Sequence, residues 1–172
     1  SSAASDVYKR QLMLTPNGPR VIEYNCRFGD PETQAVLPLV EGDLLEIMIA
    51  TQAGTLDKCE IKLSDKSSCC LVLASGGYPE KYEKGKLITF DGDVEADCGV
   101  CIFHAGTKLG TPDSSEFVTS GGRVFGITAV RDTLEEAVRA AYAAAERVHF
   151  DGKYSRSDIG LSALRESRLK NG

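Results

Sequence analysis

Glu23, Asn25, Arg27 and Asp30 stand within one short stretch, Glu23-Tyr-Asn-Cys-Arg-Phe-Gly-Asp30. Glutamate and asparagine offer hard oxygen donors. Magnesium is commonly held by one or two such protein oxygens, with phosphates and water completing its shell. Period-2 alternation through Arg20-Val-Ile-Glu-Tyr-Asn25 puts Glu23 and Asn25 on one strand face with Val21. Two residues on, the Arg27 guanidinium could neutralise phosphate oxygens while charge moves in phosphoryl transfer. Asp30 followed by Pro31 reads as the N-cap and first residue of a short helix, whose free N–H groups would face an anion. The segment can therefore hold a metal–phosphate complex. The same residues also read as a solvated strand end followed by a helix cap, and spacing alone leaves both readings open.

Elements on either side must position this stretch. Leu12-Met-Leu14 and Arg20–Asn25 are β-type runs around the turn-rich Thr15-Pro-Asn-Gly-Pro19, which predicts a hairpin. Pro38 should end or kink the helix that starts near Pro31. Asp43 with Glu46 three residues on opens a second helix through Ala53, closed by Gly54. From about Ser67 the pattern turns to strands. Cys69–Ala74 is a continuous apolar run broken by Gly76-Gly-Tyr-Pro79, and Leu87–Phe90, Val100–Ala105 and Arg123–Val130 are further strands. Asp132 or Thr133, with Glu135 or Glu136 three residues on, caps the longest helix, predicted to run to about Val148. Its apolar face is Leu134, Ala137, Val138, Ala141, Ala145 and Val148. A last helix covers Leu161–Leu169. Strands first and a long helix late predict an α+β fold with helices on one face.

Composition narrows the function classes. At 172 residues the chain is about one domain. Hydrophobic residues make up 42% and charged residues 26%, which is ordinary for a folded protein. No apolar run is long enough for a membrane helix, and the first residues carry no secretory h-region. With a net charge of −5 and no basic block, broad nucleic-acid or anionic-membrane binding is disfavoured. Six cysteines, at 26, 59, 69, 70, 98 and 101, read as reduced thiols in a chain of this length. Cys98 and Cys101 form a lone C-x-x-C without the second pair that a structural zinc site needs, so they read as packing or turn residues.

Arg20-Val-Ile-Glu-Tyr-Asn-Cys-Arg-Phe-Gly-Asp-Pro-Glu-Thr-Gln34 resembles the signature of the phosphoribosylamine–glycine ligase family. The likeness continues through Ala74–Pro79, Phe103–Lys108, Ser120–Val124 and Ser157–Gly160, in family order over about residues 12–165. It implies an ATP-grasp ligase of purine biosynthesis, working in the cytoplasm. Such an enzyme phosphorylates the carboxylate of glycine with ATP. The amine of 5-phosphoribosylamine then attacks the acyl phosphate, giving glycinamide ribonucleotide, ADP and phosphate. By position in the family motif, Glu23 and Asn25 would ligate magnesium or manganese. Arg27 would contact the phosphates or the acyl phosphate, and Asp30 would order the loop or substrate.

The resemblance also implies what is missing. The family's substrate domain, its lid, its nucleotide-binding lysine and an earlier acidic metal ligand have no counterpart here, and residues 1–11 do not match. The expected organisation is a tail (1–11), the C-terminal end of an ATP-grasp domain (12–62), and a small mixed β-sheet domain with a long helix packed on it (63–172). Such a chain would need the missing domains as partners and would not catalyse the ligation alone. A non-catalytic docking module, or half of a split ATP-grasp enzyme, is the alternative. Another purine-pathway ligase or a biotin-type carboxylase fits the wording Phe28–Gln34 less well.

Other residues have plainer readings. His104 reads as a structural histidine, and Gly76-Gly77 and Gly121-Gly122 as turns rather than phosphate approaches. Lys108, Arg123 and Arg156 are candidates for a ribose-phosphate pocket. Tyr78, Tyr82 and Phe90 read as core or domain-interface aromatics, and Leu164–Lys170 as a solvated helix face.

Overall fold

A computed structural model describes the backbone of residues 9–25, 27–111, 113 and 115–170, and their side chains apart from those of 9–12, 22–25 and 166–170. The chain divides into two compact units, residues 1–33 and 34–172.

In the first unit, strands β1 (Lys9–Thr15) and β2 (Gly18–Asn25) form the predicted antiparallel hairpin. The Thr15 hydroxyl donates to the Gly18 carbonyl (2.7 Å) and accepts from Asn17 N–H (3.3 Å), and Gly18 takes a left-handed φ of 91°. This is the chemistry expected of a turn with Thr, Asn and Gly in sequence. β1 begins at Lys9, inside the stretch expected to be a tail. The ladder slips between Gln11 and Leu12: Gln11 faces Glu23, whereas Leu12 faces Val21. Ile22 is thus the extra residue of a β-bulge. Glu23 and Asn25 keep alternate positions beyond the bulge, but Val21 no longer belongs to that alternation, a correction to the simple period-2 reading.

The short helix α1 (Glu32–Val36) spans the division between the units. It opens at Glu32, so Pro31 lies before the helix rather than at its first position, and the Asp30–Pro31 bond is cis. The second unit continues through a 3-10 turn containing Pro38, β3 (Val40–Glu41), α2 (Leu44–Ala53) and β4 (Lys62–Leu63), with β3 paired to β4. α2 ends where its sequence says. The Asp43 carboxylate accepts from Leu45 and Glu46 N–H, and Gly54 closes the helix at φ 67°.

The remaining elements are β5 (Ser67–Ser75), β6 (Leu87–Phe90), α3 (Val94–Cys98), β7 (Val100–His104), β8 (Thr107–Leu109), β9 (Phe117–Thr119), β10 (Arg123–Arg131), α4 (Leu134–Glu146), β11 (Val148–His149), β12 (Lys153–Tyr154) and α5 (Leu161–Lys170). They build two four-stranded sheets, ordered β12-β5-β10-β7 and β11-β6-β9-β8, and every pairing among the described strands is antiparallel. The fold is α+β.

The core sits where α4 covers β5 and β10. Cross-strand partners Leu73 and Phe125, Leu71 and Ile127, and Cys69 and Ala129 are all buried, so the sheet's inner face is made of directly opposed apolar pairs. A bulge at Val124 lets two consecutive residues, Val124 and Phe125, both enter the core. Opposite them α4 presents Ala137, Val138, Ala141, Ala144 and Ala145, whose mostly small side chains let the helix axis approach the sheet closely. Thr133 and Glu136 form a complete capping box at its start. α4 ends at Glu146, two residues earlier than predicted, because Val148 turns into β11. Lys153 Nζ donates to the Ala145 and Val148 carbonyls (2.9 and 2.7 Å), tying the last turn of α4 to the start of β11.

Candidate functional site

The candidate metal–phosphate segment lies at the end of the hairpin and in the turn that follows it. The register puts Asn25 opposite Lys9 and Glu23 opposite Gln11, so the two positions share one face of β2. Their side chains lie outside the described residues. At ~3.3 Å of rise per residue, alternate positions on a strand are ~7 Å apart. A glutamate and an asparagine at that separation can approach one ion from the same side. Both are oxygen donors of the hard type that suits magnesium or manganese. Among the described residues no group of three or more His, Cys, Asp or Glu is placed to hold a metal. Two such oxygen donors make a partial set, of the kind that phosphates and water complete.

Arg27 is exposed, and its Nη1 donates to the carbonyl of its neighbour Phe28 (3.2 Å). Asp30 is also exposed and has an interaction partner. The turn between them is held by Gly29, whose carbonyl accepts from both the N–H (2.9 Å) and the hydroxyl (2.6 Å) of Thr33. The helix expected from Pro31 is short and opens at Glu32. α1 has five residues, too few peptide dipoles to make a strong N-terminal field.

The other candidates resolve into structural roles. The His104 ring packs against Phe117 and Phe125, with centroids at 4.7 and 4.9 Å, and its Nδ1 shares a hydrogen bond with the Thr107 hydroxyl (2.8 Å). Gly76 donates its N–H to Gly152, and Gly121 lies against Gly106. A side chain at Gly122 would run into the Tyr78 ring. These glycines make room for the protein's own backbone and rings. Tyr78 packs edge-on to Tyr82, and Phe90 packs edge-on to Phe125. Arg156 forms a bidentate pair with Asp158 (2.8 and 2.6 Å) and lines a cleft of about 500 Å³ with Gly160 and Arg165. Neither Lys108 nor Arg123 lines that cleft.

The cysteines behave as packing residues. Cys59, Cys69, Cys70, Cys98 and Cys101 are free thiols, and Cys26 lies outside the described residues. Burial, and secondarily its neighbour Cys70, push the Cys69 thiol up to about 11. Cys98 ends α3 and accepts from Arg147 Nη1 (3.4 Å), while Cys101 lies on β7. Arg147 also pairs with Asp97 (2.6 Å) and donates to the Asp91 carbonyl.

Sequence reasoning missed one cleft of about 230 Å³, lined by Phe90, Asp93, Glu95, Ile102 and His104. Its carboxylates serve the backbone: Asp93 accepts from Ala96 N–H (3.1 Å) and Glu95 from Ile102 N–H (2.8 Å). The Asp91-Gly92 turn followed by a capping aspartate is the signal that could have located α3.

Residues 68–162 match the phosphoribosylglycinamide synthetase C domain, and residues 6–33 match the ATP-grasp (A) domain of the same synthetase. The chain is 52% identical over 157 residues to the bifunctional purine biosynthetic protein ADE1 of Schizosaccharomyces pombe, covering 91% of this chain and 19% of that protein. It is 44% identical over 153 residues to the phosphoribosylamine–glycine ligase of Chlorobaculum tepidum, covering 89% of this chain and 35% of that one. The crystal structure of the phosphoribosylamine–glycine ligase of Thermotoga maritima superposes with a TM-score of 0.62 at 35% identity, covering 87% of this chain and 36% of that one. The chain thus spans about a fifth to about a third of the relatives it matches.

Proposed function

The chain belongs to the phosphoribosylglycinamide synthetase family, and from that premise we propose that it is the C-terminal part of an ATP-grasp ligase joining glycine to 5-phosphoribosylamine. The reaction activates glycine's carboxylate as an acyl phosphate at the expense of ATP. The amine of 5-phosphoribosylamine attacks that carbon and phosphate leaves, so the products are glycinamide ribonucleotide, ADP and phosphate. The observation that carries the reading is the succession of the two matches, an ATP-grasp end and then a C domain, along one chain. On this reading residues 12–62 close the ATP-grasp domain and residues 63–172 form the C-terminal domain. In support, the fully buried core of the described chain begins only at Cys69.

Glu23 and Asn25 would hold magnesium or manganese against the phosphates of ATP. A bound divalent cation supplies charge neutralisation at phosphate oxygens. Arg27, exposed and two residues beyond Asn25, adds a fixed positive charge for the transferring phosphoryl group or the acyl phosphate. Asp30, in the turn closed by Gly29 and Thr33, orders that loop or the substrate. The nucleotide-binding lysine and lid of the family lie outside this sequence, so the chain needs the rest of the enzyme to turn over. We place the enzyme in the cytoplasm. Among the described residues no helix is long and apolar enough to cross a membrane.

The test is Glu23→Ala with Asn25→Ala in the full-length ligase that carries this chain. Metal charge stabilisation is worth several kcal/mol, so turnover with magnesium or manganese should fall more than about a hundredfold. Unchanged turnover would remove the metal assignment. The alternative of a docking module or a split enzyme finds its support in α2, where Leu45, Met48 and Ile49 are exposed.

A further inference from the structure

Pro38 removes a donor from α1. In a regular helix the Gln34 carbonyl would accept from the N–H four residues on, and residue 38 is a proline, which has none. The helix stops at Val36 and the chain tightens into the 3-10 turn Leu37–Leu39. The Gln34 carbonyl instead accepts from a residue 94 positions away, the Thr128 hydroxyl of β10, at 3.0 Å.

The strand itself has no need of a hydroxyl there. β10 alternates Phe125, Ile127 and Ala129 into the core under α4, which puts Gly126 and Thr128 on the other face of the sheet. Thr128 is 2% exposed, with Cys70 of β5 and Cys101 of β7 as its cross-strand partners. Burying a hydroxyl is costly unless it is hydrogen-bonded, and the bond to Gln34 offsets that cost. Gly126 adds to the fit. A Cβ at this position would meet Gln34 Cγ at 3.7 Å and Cys70 Sγ at 3.2 Å. Gln34 therefore rests over a glycine and is hydrogen-bonded by the next residue on the same face.

What precedes Gln34 gives this bond its consequence. Gln34 adjoins Thr33, whose N–H and hydroxyl both hold the Gly29 carbonyl (2.9 and 2.6 Å). Gly29 lies between Arg27 and Asp30, in the turn that follows Glu23 and Asn25. The candidate loop thus runs directly into a residue that is bonded to β10. We infer that Thr128 is a positioning residue of the metal–phosphate loop, acting through the Gln34 carbonyl. This rests on the proposed reading of Glu23–Asp30 as that loop, and deepens it by naming a residue of the second unit that fixes where the loop ends.

The experiment compares Thr128→Val, which removes the donor and nearly keeps the shape, with Thr128→Ser, which keeps the donor. Thr119→Val is the control: Thr119 is fully buried on β9 of the second sheet, and its hydroxyl accepts from Lys86 N–H (3.1 Å). Amide hydrogen exchange, read by mass spectrometry, follows residues 29–37 of this chain. Calorimetry measures magnesium–ATP binding by the full-length ligase that carries it. Loss of one bond to a buried acceptor should speed exchange in residues 29–37 about tenfold and weaken magnesium–ATP binding about tenfold. Thr128→Ser should stay within about twofold of the parent on both measurements. Thr119→Val should lower Tm about as much as Thr128→Val does and leave both readouts at the parent's values, because its lost bond does not reach α1. Unchanged exchange or unchanged binding in Thr128→Val, a Thr128→Ser variant as impaired as Thr128→Val, or equal losses of binding in Thr119→Val would overturn the inference. A ligase that shows the expected pattern but releases no ADP with glycine and 5-phosphoribosylamine would leave the positioning role standing and remove the ligase reading.

Discussion

Two glycine-to-alanine changes separate a backbone obstacle from a side-chain obstacle. A Cβ at Gly106 would lie 2.5 Å from the Arg123 carbonyl oxygen, 2.6 Å from Gly121 Cα and 2.8 Å from Gly121 N. All three are backbone atoms, tied in place by Gly106 N–H to Arg123 O, Ala105 N–H to Val124 O and Ser120 N–H to Gly106 O. They cannot retreat without breaking that network. A Cβ at Gly122 would come closer still, but to the ring of Tyr78, which is 37% exposed and can swing into water. Distance alone ranks Gly122→Ala as the worse change; the nature of the obstacle ranks Gly106→Ala worse. Overpacking against fixed backbone costs about 3 kcal/mol, whereas losing the Tyr78 contacts costs about 1 kcal/mol. At about 3 °C per kcal/mol for a domain of this size, the expected losses in Tm are about 9 °C and about 3 °C. Tyr78→Ala with Gly122→Ala should melt close to either single variant, because both remove the same contact. Thermal melts followed by circular dichroism decide it. A Gly106→Ala variant within about 2 °C of the parent, or fully additive losses in the double variant, would refute the packing account of these glycines. A phosphate-approach role for Gly121-Gly122 would instead leave the melt unchanged.

Three further outcomes follow from the same coordinates. Lys153→Met removes the hydrogen bonds to the Ala145 carbonyl in the last turn of α4 and to the Val148 carbonyl of β11, and differential scanning calorimetry should show a loss of about 1–2 kcal/mol. The Cys69 thiol, pushed up to about 11 mainly by burial, stays protonated at pH 8. Mass spectrometry after brief alkylation of the folded protein should find exposed Cys101 modified and Cys69 intact. Hydrogen bonding from Arg156 holds the Asp158 carboxyl below its ordinary value. A depressed folded-state pKa stabilises the fold above the ordinary aspartate range and loses that contribution as pH falls through the folded value. Asp158→Asn should therefore slightly lower the neutral plateau of a Tm-against-pH profile and leave its acid end, where Asp158 is already protonated, in place.

What the chain makes legible is whatever local chemistry decides. Asp43, Glu46 and Gly54 carry both ends of α2 in themselves, and Thr133 with Glu136 does the same for the start of α4. The apolar run Cys69–Ala74 is a strand because no polar residue interrupts its burial. Elements stabilised from outside were not legible. β8 and β9 are three-residue strands that exist through their pairing to each other and to β6, and α3 is a five-residue helix placed by Asp93. The bulge at Ile22 depends on the register of two strands, which no single run of residues reveals. The candidate site follows the same rule. The motif positions from Glu23 to Asp30 are readable as a segment because they are contiguous. The residues of α2 read as an ordinary capped helix, and only the structure shows Leu45, Met48 and Ile49 exposed on it.

The most direct test of the central claim is ADP release by the purified chain, dependent on glycine and 5-phosphoribosylamine, measured alone and again with the missing ligase portion added. No turnover is expected from the chain alone and substrate-dependent turnover on addition, abolished by Glu23→Ala with Asn25→Ala. Robust turnover by the chain alone, or turnover of the completed enzyme that ignores both substitutions, would contradict it.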